Sequence, residues 1–230
     1  GQSVHHVIER AVQEGDLCEE RLFVNNKHTN GWTLSGQFDY LDAAGGLMDF
    51  KTTSAWSAID ALKNGKEEWT AQLNILDWLV RNSENPLPIE VNSLSIVAIL
   101  RDWSKIRAMT TADYPKQQVV MIPIERWSHE QQDEYVSNRI ALHQAAAEML
   151  EPPICTPHER WNKPDQYAVM KDGRKSAVRL LPSMDAAKEF MEANNLSKGC
   201  KIVLRKGEDT RCAHYCAVRD HCSHWKDVKF

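Results

Sequence analysis

One stretch decides the fold of this chain: Ser35-Gly-Gln-Phe-Asp-Tyr-Leu-Asp-Ala-Ala-Gly-Gly-Leu-Met-Asp-Phe-Lys51. Its centre, Asp42 to Gly46, has the composition of a turn, because aspartate initiates turns and glycine accepts positive φ. The segments on both sides are rich in strand-forming residues and alternate in character. The stretch therefore predicts a β-hairpin whose loop runs from Asp42 to Gly46.

The register of this hairpin brings two acidic residues together. With that loop, Tyr40 faces Met48 and Asp39 falls directly opposite Asp49. Because side chains alternate along a strand, the hairpin has a polar face and an apolar face, and we expect the apolar face to belong to the core. The polar face carries Gln37, Asp39, Asp49 and Lys51, and the expected core face carries Phe38, Tyr40, Met48 and Phe50.

Two aspartates in opposed positions indicate a cation site. Directly opposed side chains have Cβ atoms roughly 4.5–5.5 Å apart, where like charges are destabilising unless positive charge lies between them. A divalent ion and Lys51 would supply that charge, and such an arrangement can hold a metal ion beside a phosphodiester. The alternative is a solvated hairpin whose outer face carries acidic residues without a site. The apolar neighbours of Asp49 and Lys51 favour the site.

Length and composition limit the class of protein. A chain of 230 residues with 42% hydrophobic residues can form one large domain, or one domain with a small appendage. It has no apolar run long enough to span a membrane and no signal-peptide pattern at its start. These features predict a cytoplasmic protein. The first residue is not methionine, so we expect further residues upstream.

Charge divides unevenly along the chain. Residues 1–150 hold 13 Lys and Arg against 21 Asp and Glu, a net charge of −8, whereas residues 151–230 hold 15 against 11, a net charge of +4. An acidic, metal-binding part joined to a basic part suits a nuclease, since the basic part attracts phosphate. An ordinary fluctuation in surface charge is the alternative.

The remaining patterns predict an α/β fold in two domains. A long helix over His129–Met149 ends at a pair of prolines, which we take as the boundary between domains 1–150 and 151–230. Pro123, late in an apolar strand, indicates a strand end or the edge of a sheet. The other predicted elements are helices over Ser3–Glu14 and Glu67–Arg81, and strands over Glu20–Asn25, Thr33–Leu41, Leu47–Thr52, Asn92–Leu100 and Gln117–Ile124.

Two more polar residues are candidates for the hairpin site. His5 lies on the first predicted helix, with Glu9 one turn away on the same face, and a neutral imidazole there could complete a metal site. Gln72 interrupts a largely apolar helix, and a buried amide needs hydrogen-bond partners. Each residue has an ordinary alternative. His5 would be a polar edge residue of its helix, and Gln72 would bond to backbone.

At these positions the chain resembles a nuclease family. Four segments match, in order and approximate spacing, the motifs of RecB-type nucleases of the PD-(D/E)XK superfamily. The resemblance covers residues 1–80 and implies a restriction-endonuclease-like core, with a central mixed sheet flanked by helices. The matching segments are Gly1-Gln-Ser-Val-His5, Gly36-Gln-Phe-Asp39, Asp49-Phe-Lys51 and Gln72.

The resemblance also implies a role for each site residue. In that family a histidine, two acidic residues and a backbone carbonyl bind Mg²⁺ or Mn²⁺. Here these ligands would be His5, Asp39, Asp49 and the carbonyl of Phe50. Lys51 would position or activate the attacking water and stabilise the transition state, and Gln72 would support it. The expected catalytic residues are therefore Asp39, Asp49, Lys51 and Gln72.

The second candidate site is a group of cysteines. Cys212, Cys216 and Cys222 stand in one short window, and Cys155 follows the proline boundary. Four thiolates can bind a structural zinc ion or an iron–sulfur cluster, and a cytosolic chain rarely uses them as disulfides. On any helix through this window, Cys212 and Cys216 would face one ion together. Disulfides and unlinked thiols remain alternatives, as do the other ligands Cys18, Cys200, His214, His221 and His224.

The resemblance extends to these cysteines. RecB-like nucleases with one upstream and three C-terminal cysteines, among them CRISPR-associated exonucleases, bind a [4Fe-4S] cluster, although their first cysteine precedes the nuclease core. The segments Cys155–Trp161 and Tyr167–Lys175, with the terminal cysteines, look like the tail of phage-encoded members. The resemblance thus favours a [4Fe-4S] cluster over structural zinc. It also implies that the protein works in the cytoplasm of a bacterium or of a phage-infected host. The ligands would be Cys155, Cys212, Cys216 and Cys222.

Basic residues interleaved with aromatic residues mark the tail. This mixture suits phosphate contacts and stacking on unpaired bases, although exposed hairpins are also charged for solubility alone. Lys171-Asp-Gly-Arg174 predicts the tip of a hairpin between Tyr167–Met170 and Ser176–Leu180. The residues of this mixture are Arg160, Lys163, Lys171, Arg174, Lys175 and Arg179, with Trp161 and Tyr167.

Together these features predict a metal-dependent DNA exonuclease that hydrolyses phosphodiester bonds in phage or bacterial DNA recombination, repair or processing. Its expected partner is DNA with linear or single-stranded ends, and no membrane partner is expected. Three rivals stay open. They are a sequence- or structure-specific endonuclease, a non-catalytic nucleic-acid-binding module, and a cluster-bearing redox or sensor protein.

Overall fold

The computed structural model of this protein describes residues 12–151, 153–196 and 198–227. It divides into two compact units, and the division falls between Ala145 and Ala146 inside a long helix. His5 and most of the helix predicted over Ser3–Glu14 lie outside the described residues. In the described ranges we find no helix that is long and apolar enough to cross a membrane.

The first unit is built on a mixed β-sheet. Its strands are β1 (Leu17–Cys18), β2 (Arg21–Val24), β3 (Leu34–Gln37), β4 (Tyr40–Leu41), β5 (Gly46–Thr53), β6 (Ser93–Leu100) and β7 (Val119–Ile124). Five of them form one sheet in the order β1-β4-β5-β6-β7, and β2 pairs with β3 separately. β5 and β6 run parallel, whereas the other neighbours in the sheet are antiparallel. Pro123 belongs to β7, which lies at an edge of the sheet as predicted.

Helices flank this sheet. They are α1 (Ala55–Asn64), α2 (Glu67–Asn82), α3 (Lys105–Thr110) and α4 (His129–Glu148). α1 begins where the Ser54 side chain accepts a hydrogen bond from the backbone of Ser57, and it ends at Gly65, whose φ is 72°. α2 is largely buried, and its Leu73 and Trp78 are fully enclosed. The first unit is therefore an α/β fold with a mixed central sheet flanked by helices, as predicted.

The predicted hairpin register is confirmed. Tyr40 pairs with Met48 across β4 and β5. Asp42 closes the loop, because its carboxylate accepts hydrogen bonds of 2.9 and 2.8 Å from the backbone two and four residues later. Gly45 takes a φ of 91°, which only glycine adopts without strain. Asp39 and Asp49 each lie one residue beyond the pair Tyr40–Met48, where the ladder between β4 and β5 ends.

The strand predicted over Thr33–Leu41 is in fact two strands. β3 pairs with β2, whereas β4 pairs with β1 and β5. Between them, the Phe38 backbone donates to the carbonyl of Glu20, and the Glu19 backbone donates to the carbonyl of Asp39. Glu19 has a φ of 54°, so the partner chain bends at the same place. One alternating segment therefore pairs with different partners along its length. Asp39 lies between β3 and β4, where the pairing changes.

The assignment of the hairpin faces is wrong for β5, although Phe38 is fully buried as predicted. Asp49 is 3% exposed, and its face of β5 is more deeply buried than the face of Met48 and Phe50. In register with Asp49 lie Ile96 on β6 and Ile122 on β7, both of them enclosed. The reason is that α2 packs across this side of the sheet with its broad apolar surface. The candidate carboxylate consequently points into the covered side of the sheet.

The second unit combines small antiparallel sheets with short helices. Its strands are β8 (Asn162–Lys163), β9 (Gln166–Lys171), β10 (Arg179–Leu181), β11 (Cys200–Arg205) and β12 (Glu208–Asp209), and its helices are α5 (Met184–Ala193), α6 (Thr210–His214) and α7 (Ser223–Asp227). One sheet has the order β10-β9-β11 and contacts α5, and β8 pairs with β12. The antiparallel β9 and β10 confirm the hairpin predicted around Lys171–Arg174.

Candidate functional site

Asp49 occupies the centre of the first candidate site. Its Oδ1 accepts a 2.7 Å hydrogen bond from Nε2 of Gln72. Its Oδ2 lies 2.8 Å from Nζ of Lys51, but this contact is ionic, since the buried Oδ2 accepts no hydrogen bond among the described residues. A buried carboxylate oxygen normally has donors around it. Oδ2 of Asp49 therefore retains lone pairs that a second cation could use.

Gln72 joins the two charged residues of β5. Its Oε1 accepts a 3.0 Å hydrogen bond from Nζ of Lys51, while its Nε2 donates to Asp49. The neighbours of Gln72 on α2, Leu73 and Leu76, pack into the core and hold the helix against the sheet. The amide thus bonds to side chains of the hairpin and fixes the orientation of both.

Asp39 reaches the same place from the break between β3 and β4. Its Oδ2 accepts a 2.7 Å hydrogen bond from the backbone of Phe50, the residue between Asp49 and Lys51. Asp39 lies beyond the last β4–β5 pair, Tyr40 with Met48, and its side chain accepts from the Phe50 backbone there. The structure consequently brings Asp39, Asp49, Lys51 and Gln72 together around Phe50, and the predicted ligand His5 lies outside the described residues.

The charges at this site fit a divalent cation. Two aspartates and one lysine leave negative charge in excess, and Lys51 is the more solvent-accessible partner, with 30% of its side chain exposed against 4% for Asp49. Mg²⁺ usually takes one or two protein carboxylates and keeps several waters. Asp39 and Asp49 supply the two carboxylates that such an ion would need. Among residues 12–151, 153–196 and 198–227, no group of three or more His, Cys, Asp or Glu side chains is arranged to hold a metal ion.

The second candidate site is a cavity lined by cysteines. Cys155, Cys212, Cys216 and Cys222 all border one space of about 140 Å³ in the second unit. Its other walls are largely apolar and include Trp225. All six cysteines of the chain lie in the described ranges, and none forms a disulfide. The structure therefore brings together the four thiols that the sequence singles out.

These thiols come from separate pieces of backbone. Cys155 precedes β8, Cys212 lies in α6, and Cys222 follows a single turn of 3₁₀-helix over Arg219–His221. Cys216 lies beyond the end of α6 at His214, so no single helix carries both Cys212 and Cys216.

Burial raises the pKa of the Cys212 thiol, and the negative charge of Asp209 and of the other three cysteines raises that pKa further. A thiolate is the form that binds metals. The neutral thiol is therefore the favoured form of Cys212 in this cavity. Binding of a metal or cluster through Cys212 would therefore release its proton.

Asp209 anchors the walls of the cavity, a role that motif reading missed. Its carboxylate accepts hydrogen bonds from Nε of Arg160 at 3.0 Å and Nδ2 of Asn162 at 2.7 Å, and it lies 2.7 Å from Nε2 of His224. Burial raises the pKa of Asp209, but these three partners outweigh burial and hold it below its usual value. The only sequence signal was its place three residues before Cys212.

Of the alternative ligands, His224 lines the cysteine cavity and is engaged by Asp209. His214 instead lies 3.0 Å from Oε1 of Glu208. Cys18 belongs to β1 of the first unit, and Cys200 begins β11. The four predicted cysteines thus share a cavity that Cys18 and Cys200 do not line.

Comparison with known proteins gives little beyond this geometry. No family model and no curated protein matches the chain. A solved structure that is similar is the crystal structure of SSO0001, with 14% sequence identity and a TM-score of 0.40. The match covers 64% of this chain, and this chain spans 59% of the SSO0001 chain.

Proposed function

We propose that this protein is a Mg²⁺- or Mn²⁺-dependent DNA exonuclease with a RecB-type PD-(D/E)XK core. The observation that carries the proposal is the buried Asp49 carboxylate, which is bonded to Gln72 on one oxygen and has only the Lys51 ammonium beside the other. Two aspartates and a lysine around one backbone position suit metal-assisted hydrolysis, in which carboxylates hold the ion and a cation balances the charge on the phosphate.

Each residue has a defined part in this proposal. Asp39 and Asp49 would hold the metal ion, together with the carbonyl of Phe50 and His5. The bound ion would polarise the scissile phosphate and lower the pKa of a bound water. Lys51, whose side chain is 30% exposed, would orient that water and neutralise charge developing on the phosphate. Gln72 would hold the Lys51 ammonium and the Asp49 carboxylate in fixed positions.

The second unit would bind a [4Fe-4S] cluster through Cys155, Cys212, Cys216 and Cys222. A structural zinc ion holds its four sulfurs about 2.3 Å from one centre, which leaves no space among them. The thiols here surround a cavity of about 140 Å³ with apolar walls, which suits a larger group. Such a cluster would add a further link between segments that Asp209 already joins. Its role would be structural, in the basic lobe that receives DNA.

The test of the proposed function compares two forms of one DNA. We expect end-labelled linear DNA to lose its label progressively with Mn²⁺, while a covalently closed circle of the same sequence stays intact. Discrete fragments from the circle would instead show an endonuclease. Binding of both forms without any cleavage would show a non-catalytic module. Either result would overturn the proposed exonuclease.

Gln72→Leu is expected to lower kcat about 10- to 100-fold, with little change in the KM for DNA. The substitution keeps the volume of the side chain but removes the amide that holds Lys51 and Asp49. Steady-state cleavage of linear DNA measures the effect. Gln118→Leu is the matched control, because it removes an amide bonded to the carbonyl of Leu100 in the same unit. Equal loss in both variants would mean that Gln72 serves only the fold.

A further inference from the structure

We infer that Trp161 and Tyr215 form a stacking site for single-stranded DNA on the second unit. Trp161 is 47% exposed and Tyr215 is 69% exposed. Their ring centroids lie 5.3 Å apart, and their planes are inclined by 59°. Two adjoining rings offer flat apolar surface that suits the faces of unpaired bases. The choice of DNA as the ligand rests on the proposed nuclease function.

The backbone holds Trp161 in a conformation that bulky residues rarely adopt. Its φ is 53°, in the left-handed region. The residues on either side keep it there, because the side chains of Arg160 and Asn162 both bond to Asp209, which is buried. A strained residue fixed by its neighbours is typical of binding sites. The anchors point inward, and the indole is left facing solvent.

Tyr215 is held by a different element. It follows the last residue of α6, and its backbone donates a 2.9 Å hydrogen bond to the carbonyl of Arg211. Tyr215 lies between Cys212 and Cys216 in the sequence, and both of these cysteines line the cysteine cavity. The ring is therefore attached to a fixed wall of the second unit. The two rings meet because the Arg211 backbone also donates to the carbonyl of Arg160, next to Trp161.

Positive charge adjoins the rings. The Arg211 guanidinium lies 5.8 Å from the centre of the Trp161 ring, a distance at which cation–π attraction acts. His214 packs edge-on against Tyr215, although its imidazole also contacts the carboxylate of Glu208. Residues 151–230 as a whole carry a net charge of +4. Aromatic rings beside arginine in a basic region fit a ligand with a phosphate backbone and unpaired bases.

Base pairing decides which form of DNA this site can bind. In a duplex each base is stacked on its neighbours and shows only its edges in the grooves. The faces that Trp161 and Tyr215 could contact are therefore hidden, whereas a single strand exposes them. A site that contacts base faces prefers single strands, while a site that contacts only phosphates binds both forms.

The experiment measures the Kd for a labelled oligo-dT strand and for a duplex of the same length by fluorescence anisotropy. Every protein carries Asp49→Asn, so that cleavage does not interfere. We expect Trp161→Ala and Tyr215→Ala each to weaken single-strand binding about tenfold and duplex binding about twofold or less. Trp161→Phe, which keeps a ring, should stay within about twofold of the parent. Phe23→Ala is the matched control, since Phe23 is 49% exposed on the first unit.

The outcomes separate the stacking site from its rivals. Unchanged single-strand affinity in Trp161→Ala and Tyr215→Ala, with native circular dichroism, would overturn the site. So would an equal loss for duplex, which would indicate phosphate contacts alone, or a parent protein that binds no single strand, which would assign the rings to another partner. If the tenfold loss is seen but the protein without Asp49→Asn cleaves no DNA, the stacking site stands and the proposed nuclease function fails.

Discussion

Asp49→Asn is expected to reduce cleavage of linear DNA on the order of a thousandfold. Asparagine has the same shape and still offers Oδ1 to Gln72, but it lacks the charge that would hold a divalent ion. The Nδ2 group of asparagine would then face the Lys51 ammonium, but Lys51 keeps its bond to Gln72 and its side chain is 30% exposed, so the ammonium can turn toward water. The fold should therefore survive, and the loss should appear as lost metal binding and lost turnover.

Three measurements check this result. Titration calorimetry should show weaker Mn²⁺ binding, the kcat on end-labelled DNA should fall, and the thermal midpoint without metal should stay close to that of the parent. Asp113→Asn is the control, because Asp113 is an exposed aspartate paired with Lys63 in the same unit, and it should behave like the parent. Turnover retained in Asp49→Asn would contradict the role given to the carboxylate.

Cys216→Ser is expected to remove the visible colour and the bound iron of protein purified without oxygen. The parent should contain about four iron atoms per chain, as a [4Fe-4S] cluster requires, with broad absorbance in the visible range. Serine keeps the size of the side chain but does not replace a thiolate ligand. Since the cavity walls come from separate segments, we also expect the second unit to unfold at a lower temperature than in the parent.

Metal analysis and spectroscopy decide between the possible occupants. Cys200→Ser is the control, because Cys200 begins β11 and does not line the cavity, so the colour should persist. A colourless parent with one zinc ion per chain would replace the cluster with a structural zinc site. A colourless parent with neither metal would contradict both assignments and leave four unlinked thiols.

Local patterns predicted much of the first unit. The turn composition of Asp42–Gly46 set the pairing of Tyr40 with Met48, because a hairpin loop fixes the register of the strands next to it. Pro123 indicated an edge strand, since proline cannot donate to a second neighbour. In the second unit, the Gly173 turn marked the hairpin of β9 and β10. Each of these features depends on residues close together in the chain.

Other features of the fold could not be predicted from local sequence patterns. α1 was missed because its buried residues are the alanines Ala55, Ala58 and Ala61, whose weak hydrophobic signal resembles a loop. The strand over Thr33–Leu41 was read as one, because an alternating pattern does not reveal which partner each half will find. The buried side of the hairpin was misassigned, since burial there depends on where α2 packs and not on the polarity of Asp49 and Lys51.

Local residue patterns were sufficient for the hairpin register and the edge strand. Both features depend on residue spacing and turn composition, which act over only a few residues of the chain. Only the tertiary structure decided that Gln72 bridges Asp49 and Lys51, that Asp39 bonds to the backbone of Phe50, and that four distant cysteines line one cavity anchored by Asp209. Those contacts join residues far apart in the chain, and the packing of helices and strands brings them together.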